Sequence, residues 1–141
     1  MKLERRPVIK LSLSLSDKIA ELSGFFFLLV LWALVLLNYH HLPETIPNHF
    51  NSSGQADGYG PKSSIFELPI SGTILFALVT LVNRFPQFFN YLNKITPENA
   101  LEEYTRATRM LRYLKLFMLI IFTGLVLISM HWTSLSNNIN D

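Results

Sequence analysis

The chain has 141 residues, of which 50% are hydrophobic and only 16% charged, whereas soluble domains run near a quarter charged. Its 12 lysines and arginines against 10 acidic residues leave a formal charge of +2, too small a surplus to argue for nucleic acid. With no cysteine, disulfides, thiolate metal sites and cysteine nucleophiles are excluded. The apolar residues gather into three blocks separated by segments that hold nearly all the charge, as expected of a membrane protein.

The N-terminal segment carries two patterns. Leu11, Leu13 and Leu15 alternate with serines as in a strand, while Leu11, Leu15, Ile19 and Leu22 share one helical face that Pro7 can open. With no partner strand evident, residues 8–18 are expected to form an interfacial helix leading into the first span.

The first apolar block, from about Leu22 to Tyr39, carries no charge and would make a helix of about 27 Å, close to the thickness of a hydrocarbon core. Trp32 lies mid-block, and Tyr39, His40 and His41 suit the interface at its end. The block starts too late and runs too long for a secretory signal, and no small-x-small cleavage site comes after it. It reads as a retained helix.

Residues 42–63 form the next segment, a loop rich in Pro43, Pro47, Pro61, Gly54, Gly58 and Gly60. Proline fixes φ and glycine permits positive φ, so this is repeated turn chemistry and not a floppy linker. Asn51-Ser52-Ser53-Gly54 and Asp57-Gly58 read as turns. Leu42, Ile46, Phe50 and Tyr59 are expected to dock the loop on the rim of the bundle. A long loop without helix or strand is usually functional or disordered, and its prolines and aromatics argue against disorder.

The second block runs from about Ser64 to Val82, with Glu67 and Pro69 in its first turns, where a missing N–H is tolerated. Ser71, Gly72, Thr73, Ala77 and Thr80 make it the least greasy of the three. Small residues permit close helix approach in lipid, so this helix is expected at the centre of the bundle. After the 83–113 segment comes the third block, about Leu114 to Trp132. Thr96-Pro97-Glu98 is a good helix start, and one helix from Pro97 to His131 is expected. Arg112 and Lys115 should then lie at the membrane boundary and snorkel, because a charge at the bilayer centre costs roughly 2.5–3.5 kcal/mol or more.

Lys2, Arg5, Arg6, Lys10 and Lys18 precede the first span, and Arg84, Lys94, Arg106, Arg109, Arg112 and Lys115 come after the second; Lys62 alone lies between them. By the positive-inside rule the N-terminus and 83–113 face the cytoplasm, with the loop and the tail after Trp132 outside. Arg106, Arg109, Arg112 and Lys115 recur every three residues, but such steps drift about 60° each and wrap half the helix. A juxtamembrane topology signal attracted to anionic lipid accounts for them better than a dedicated partner site.

Within the loop, His49 and Asp57 are expected to hydrogen-bond loop backbone or to contact a partner. With His40, His41 and Glu44 nearby a metal site can be drawn. No H-x-x-x-H spacing is present, however, and His40 and His41 project about 100° apart, so neither metal nor cofactor is expected. Lys62 marks the outer end of the second helix. No phosphate loop, G-x-S-x-G, H-E-x-x-H or mid-span ionisable residue is found, which argues against an enzyme or a transporter.

Leu42-Pro43, Ile46-Pro47, His49-Phe50, Gly54, Asp57-Gly58-Tyr59-Gly60 and Lys62, set between two spans, resemble a bacterial membrane domain of unknown function. It is best known as the N-terminal part of SdpI-like immunity proteins, which protect a producing cell from a secreted killing peptide. Thr96-Pro97-Glu98-Asn99-Ala100 through Tyr104 to Leu111-Arg112-Tyr113-Leu114-Lys115 is similar to the segment after the second span in stand-alone members. The immunity proteins carry a second membrane half, whereas this chain stops after its third span, so the resemblance speaks for the domain more than for immunity.

The expected fold is an all-α membrane protein: one domain over residues 1–141, a bundle of three transmembrane helices with a turn-rich outer loop and a cytoplasmic extension of the third helix. The expected function is non-enzymatic and immunity-like, with His49, Phe50, Asp57 and Tyr59 recognising an extracellular peptide or a membrane partner. The alternative is an accessory subunit of a larger membrane complex. Expected partners are the lipid bilayer and one of these proteins, with homo-oligomers allowed and nucleic acid excluded. The expected location is the cytoplasmic membrane, N-terminus inside.

Overall fold

The computed structural model describes residues 6–140, and of 134–140 the helical backbone only. Lys2 and Arg5 lie outside the described residues. The element order is α1 (Leu15–Asn38), β1 (Thr45–Phe50), β2 (Ala56–Pro61), α2 (Glu67–Val82) and α3 (Ala100–Asn140), with 3₁₀ turns at Tyr39–His41, Lys62–Phe66 and Pro86–Phe88. Three helical stretches, Leu15–His41, Lys62–Val82 and the part of α3 up to Thr133, are long and apolar enough to cross a membrane. The protein is a mostly helical membrane protein.

The expected helix over residues 8–18 forms only from Leu15 onward, as the start of α1. Helix α1 begins only at Leu15, because Ser14 and Asp17 make a reciprocal capping box in which each side chain accepts from the other's backbone N–H. Upstream of the cap the chain is irregular and lies against the loop that precedes α3. The Tyr104 hydroxyl donates to the Pro7 carbonyl at 3.1 Å, and Ile9 and Leu11 pack on Ile95, Ala100 and Tyr104. Arg6 donates to the Gln87 and Phe89 carbonyls and lies over the Tyr91 ring. Burial pushes the Tyr91 hydroxyl up to about 12, so it stays protonated and donates to the Pro86 carbonyl at 2.9 Å.

Helices α1 and α3 form the main seam. The buried residues of α1 are Asp17, Ala20, Gly24, Leu28, Leu31 and Val35. Those of α3 include Tyr104, Thr108, Arg112, Lys115, Leu119, Thr123, Val126 and Ser129. Both sets advance by threes and fours, the spacing that keeps one stripe of a helix turned to its neighbour. Buried Thr108, Thr123 and Thr133 return their hydroxyls to carbonyls one turn earlier, so these polar groups are paired inside the bundle.

Helix α2 is not central, contrary to expectation. Only 17% of its span is buried, against 28% for each of the other two. Of its small residues, Gly72 is buried while Ser71, Thr73 and Ala77 are exposed. One close approach is enough: a Cβ on Gly72 would lie 3.1 Å from Leu119 and 3.3 Å from Leu31. On its other side Trp32 donates to the Thr73 hydroxyl at 2.9 Å. Helix α3 is regular from Ala100, later than the expected Pro97, but the Ala100 N–H already bonds the Thr96 carbonyl and the Asn99 side chain accepts from the Thr96 N–H, as at a helix N-terminus capped by Thr96. It also runs past His131 to Asn140, a length of about 61 Å.

The turn-rich loop is an antiparallel hairpin, so the structure is not all-α. The pairing runs from Thr45↔Pro61 through Ile46↔Gly60, Pro47↔Tyr59 and His49↔Gly58 to Phe50↔Ala56. A lone hairpin is marginal in water. Here Leu42 and Ile46 join Ile65 against Leu31, Val35 and Val126 in a core that roofs the bundle.

Candidate functional site

Two groups of polar side chains stand out, one at each end of the bundle. The first is the hairpin. Its tip closes at Asn51, whose Oδ1 accepts from the Ser53 and Gln55 N–H groups, with Gly54 at φ +75°, a conformation that favours glycine. Register shifts flank His49, leaving Asn48 and Asp57 without direct partners across the ladder, as bulges do to re-aim side chains. Gly58 and Gly60 make room on the facing strand. A Cβ on Gly58 would lie 2.7 Å from the His49 Cβ, and one on Gly60 would lie 2.5 Å from the Asn48 amide nitrogen.

The bulges bring His49 and Asp57 together: Nδ1 and Oδ1 are 2.5 Å apart, with the side chains 71% and 45% exposed. They pair with one another, where the sequence points to bonds with loop backbone. Tyr59, expected to dock on the rim, is 62% exposed. Of the residues expected to dock there, Leu42 and Ile46 are buried and Phe50 is half-buried. At the base, Lys62 donates to Glu44 at 2.9 Å, its backbone N–H bonds the Glu44 carbonyl, and its ammonium lies over the Tyr39 ring. Pro43 is half-buried. Pro47 is buried, and its carbonyl accepts from the Ser129 hydroxyl of α3 at 2.8 Å. The hairpin is thus an exposed polar face on a base anchored to the bundle.

The second group lies at the opposite end. Arg106 turns outward and pairs with Glu103 on its own helix. Arg109 reaches Asp17 of α1 through two nitrogens, at 2.9 and 3.2 Å. Arg112 lies 3.2 Å from Glu21 and 3.9 Å from Asp17. Lys115, fully buried, donates to Glu21 at 2.6 Å and to Thr80 at 2.9 Å, and stands 4.1 Å from the Phe76 ring centre. Arg112 and Lys115 therefore do not snorkel. Carboxylates on α1 compensate them inside the bundle, which removes the need to reach water. Sequence reasoning missed Asp17 and Glu21, although their i, i+4 spacing places them on one face of α1. Among the described residues no three His, Asp or Glu side chains are grouped to hold a metal ion.

A membrane-embedded three-helix scaffold carrying a polar hairpin is the class that this geometry defines. Residues 26–73, from mid-α1 through the hairpin into α2, match the family model of a domain of unknown function, DUF1648. An uncharacterized protein of Archaeoglobus fulgidus is 39% identical over 69 residues, which cover 43% of this chain and 38% of that protein. The chain thus spans well under half of that relative's length. No solved structure matches.

Proposed function

We propose that this is a non-enzymatic protein of the cytoplasmic membrane, with its N-terminus inside, that recognises a partner through the hairpin face of His49, Asp57 and Tyr59. The observation that carries the reading is the exposed His49–Asp57 pair on a hairpin whose base is buried. An ordered polar surface on a rigid scaffold loses little conformational freedom on binding. The domain match centres on the same hairpin. An immunity-like role fits this reading, the partner then being a secreted peptide.

Orientation is tested first. With no native cysteine, Ser52→Cys should react with a membrane-impermeant maleimide on intact cells and Asn93→Cys should not; the reverse pattern would place the hairpin inside and end the proposal. Recognition is tested by a photo-crosslinking amino acid at Tyr59 in cells that express the protein natively. Capture of a secreted peptide or one membrane protein is expected, with the adduct lost in His49→Ala. Labelling of lipid alone would make the hairpin a structural cap.

The second reading, an accessory subunit, is favoured by the exposed small residues Ser71 and Ala77 of α2. Such residues allow another helix to approach closely in lipid.

A further inference from the structure

Opposite the hairpin, the irregular N-terminal segment and the end of α2 line a half-open groove of about 260 Å³. Lys10, Arg84 and Arg112 line it together with Asn83, Leu11 and Leu13, and no carboxylate does. Arg112 is also within ion-pair distance of Glu21 and Asp17. Lys10 and Arg84 have no ion-pair partner among the described residues, and the nearby network already holds more cations than carboxylates. Among the described residues the groove is therefore lined by positive charge alone, and the chemistry it fits is a phosphate anion.

The surroundings select the source of that phosphate. The groove sits where α2 ends at Val82, the boundary of a span long enough to cross the bilayer. The same stretch of chain supplies its other residues, Leu81, Val82, Phe85, Phe88 and Phe89, to an open apolar surface, with Phe85 next to Arg84 in the chain and Phe88 80% exposed. A free phosphate has no use for such a surface, whereas a phospholipid places its headgroup and acyl chains on these two kinds of lining side by side. Basic pockets at this membrane level hold anionic headgroups in the same way. We infer that the groove binds the phosphate of an anionic phospholipid through Lys10, Arg84 and Arg112, with an acyl chain along the Phe85–Phe88 surface.

The test uses the full chain in detergent micelles titrated with phosphatidylglycerol, phosphatidylcholine or inorganic phosphate, with bound lipid read by native mass spectrometry. Phosphatidylglycerol should bind with defined stoichiometry and far more tightly than phosphatidylcholine. Removing both free cations in Lys10→Gln/Arg84→Gln should weaken it by about fivefold for each. The charge-matched control Lys18→Gln/Arg106→Gln, on residues outside the groove, should leave it unchanged. Equal loss in the control would show diffuse attraction, and equal affinity for the two lipids would show that headgroup charge is not read; either would overturn the site. Inorganic phosphate binding as tightly as phosphatidylglycerol would overturn the lipid as ligand. Neither result bears on the hairpin.

Discussion

Replacing Glu21 by glutamine is expected to lower the stability of the bundle by about 3–5 kcal/mol, read as the shift in an unfolding titration in mixed micelles. Glu21 is the one carboxylate within ion-pair distance of Lys115 among the described residues, at 2.6 Å, and Lys115 has no exposure of its own. With glutamine in place the ammonium keeps the Thr80 hydroxyl and the Phe76 ring, but its charge is no longer balanced inside the bundle. The loss comes from the cation left behind more than from the bond removed. Converting that cation to an apolar group of similar shape, in Glu21→Gln/Lys115→Met, should therefore recover part of it, the remainder being the loss of Glu21 beside Arg112. A Glu21→Gln variant as stable as the parent, or a double variant worse than the single, would show that the pair is solvated.

Leucine at Gly72 should be the second severe change, at about 1–3 kcal/mol, while leucine at Ala77 on the same helix should leave stability unaltered. The first added carbon at Gly72 already meets Leu119, Leu31 and Phe122 at 3.1–3.5 Å, so the rest of the side chain must push α2 off the seam. Ala77 faces outward. The same unfolding titration checks both. Ala77→Leu also decides the accessory-subunit reading. A variant of unchanged stability that no longer co-purifies with a membrane partner supports that reading, and one that behaves as the parent in cells counts against it.

Much of this fold is legible in the residues. Three apolar runs of bilayer length with almost no charge need no tertiary information, since hydrocarbon disfavours unpaired charge. The prolines and glycines of 42–63 correctly signal an ordered segment. They hide its hairpin, because Thr45-Ile46-Pro47-Asn48-His49-Phe50 lacks clean strand alternation and pairs only with bulges and a roof over the bundle to support it. The meeting of His49 and Asp57 depends on that register, which local spacing does not encode.

The N-terminal end shows the same division. Arg106, Arg109, Arg112 and Lys115 are visible as a row, and their drift around the helix is calculable. Which of them turn inward depends on Asp17 and Glu21, more than 90 residues away in the chain. By itself the sequence determined the membrane class, the number of spans and the position of the ordered loop, because these depend on composition over short windows. Only the tertiary structure decided which helix is central, which charges are buried and which loop residues meet. Each of those outcomes depends on a partner supplied by a distant segment, and for a buried charge that partner offsets much of the cost of leaving water.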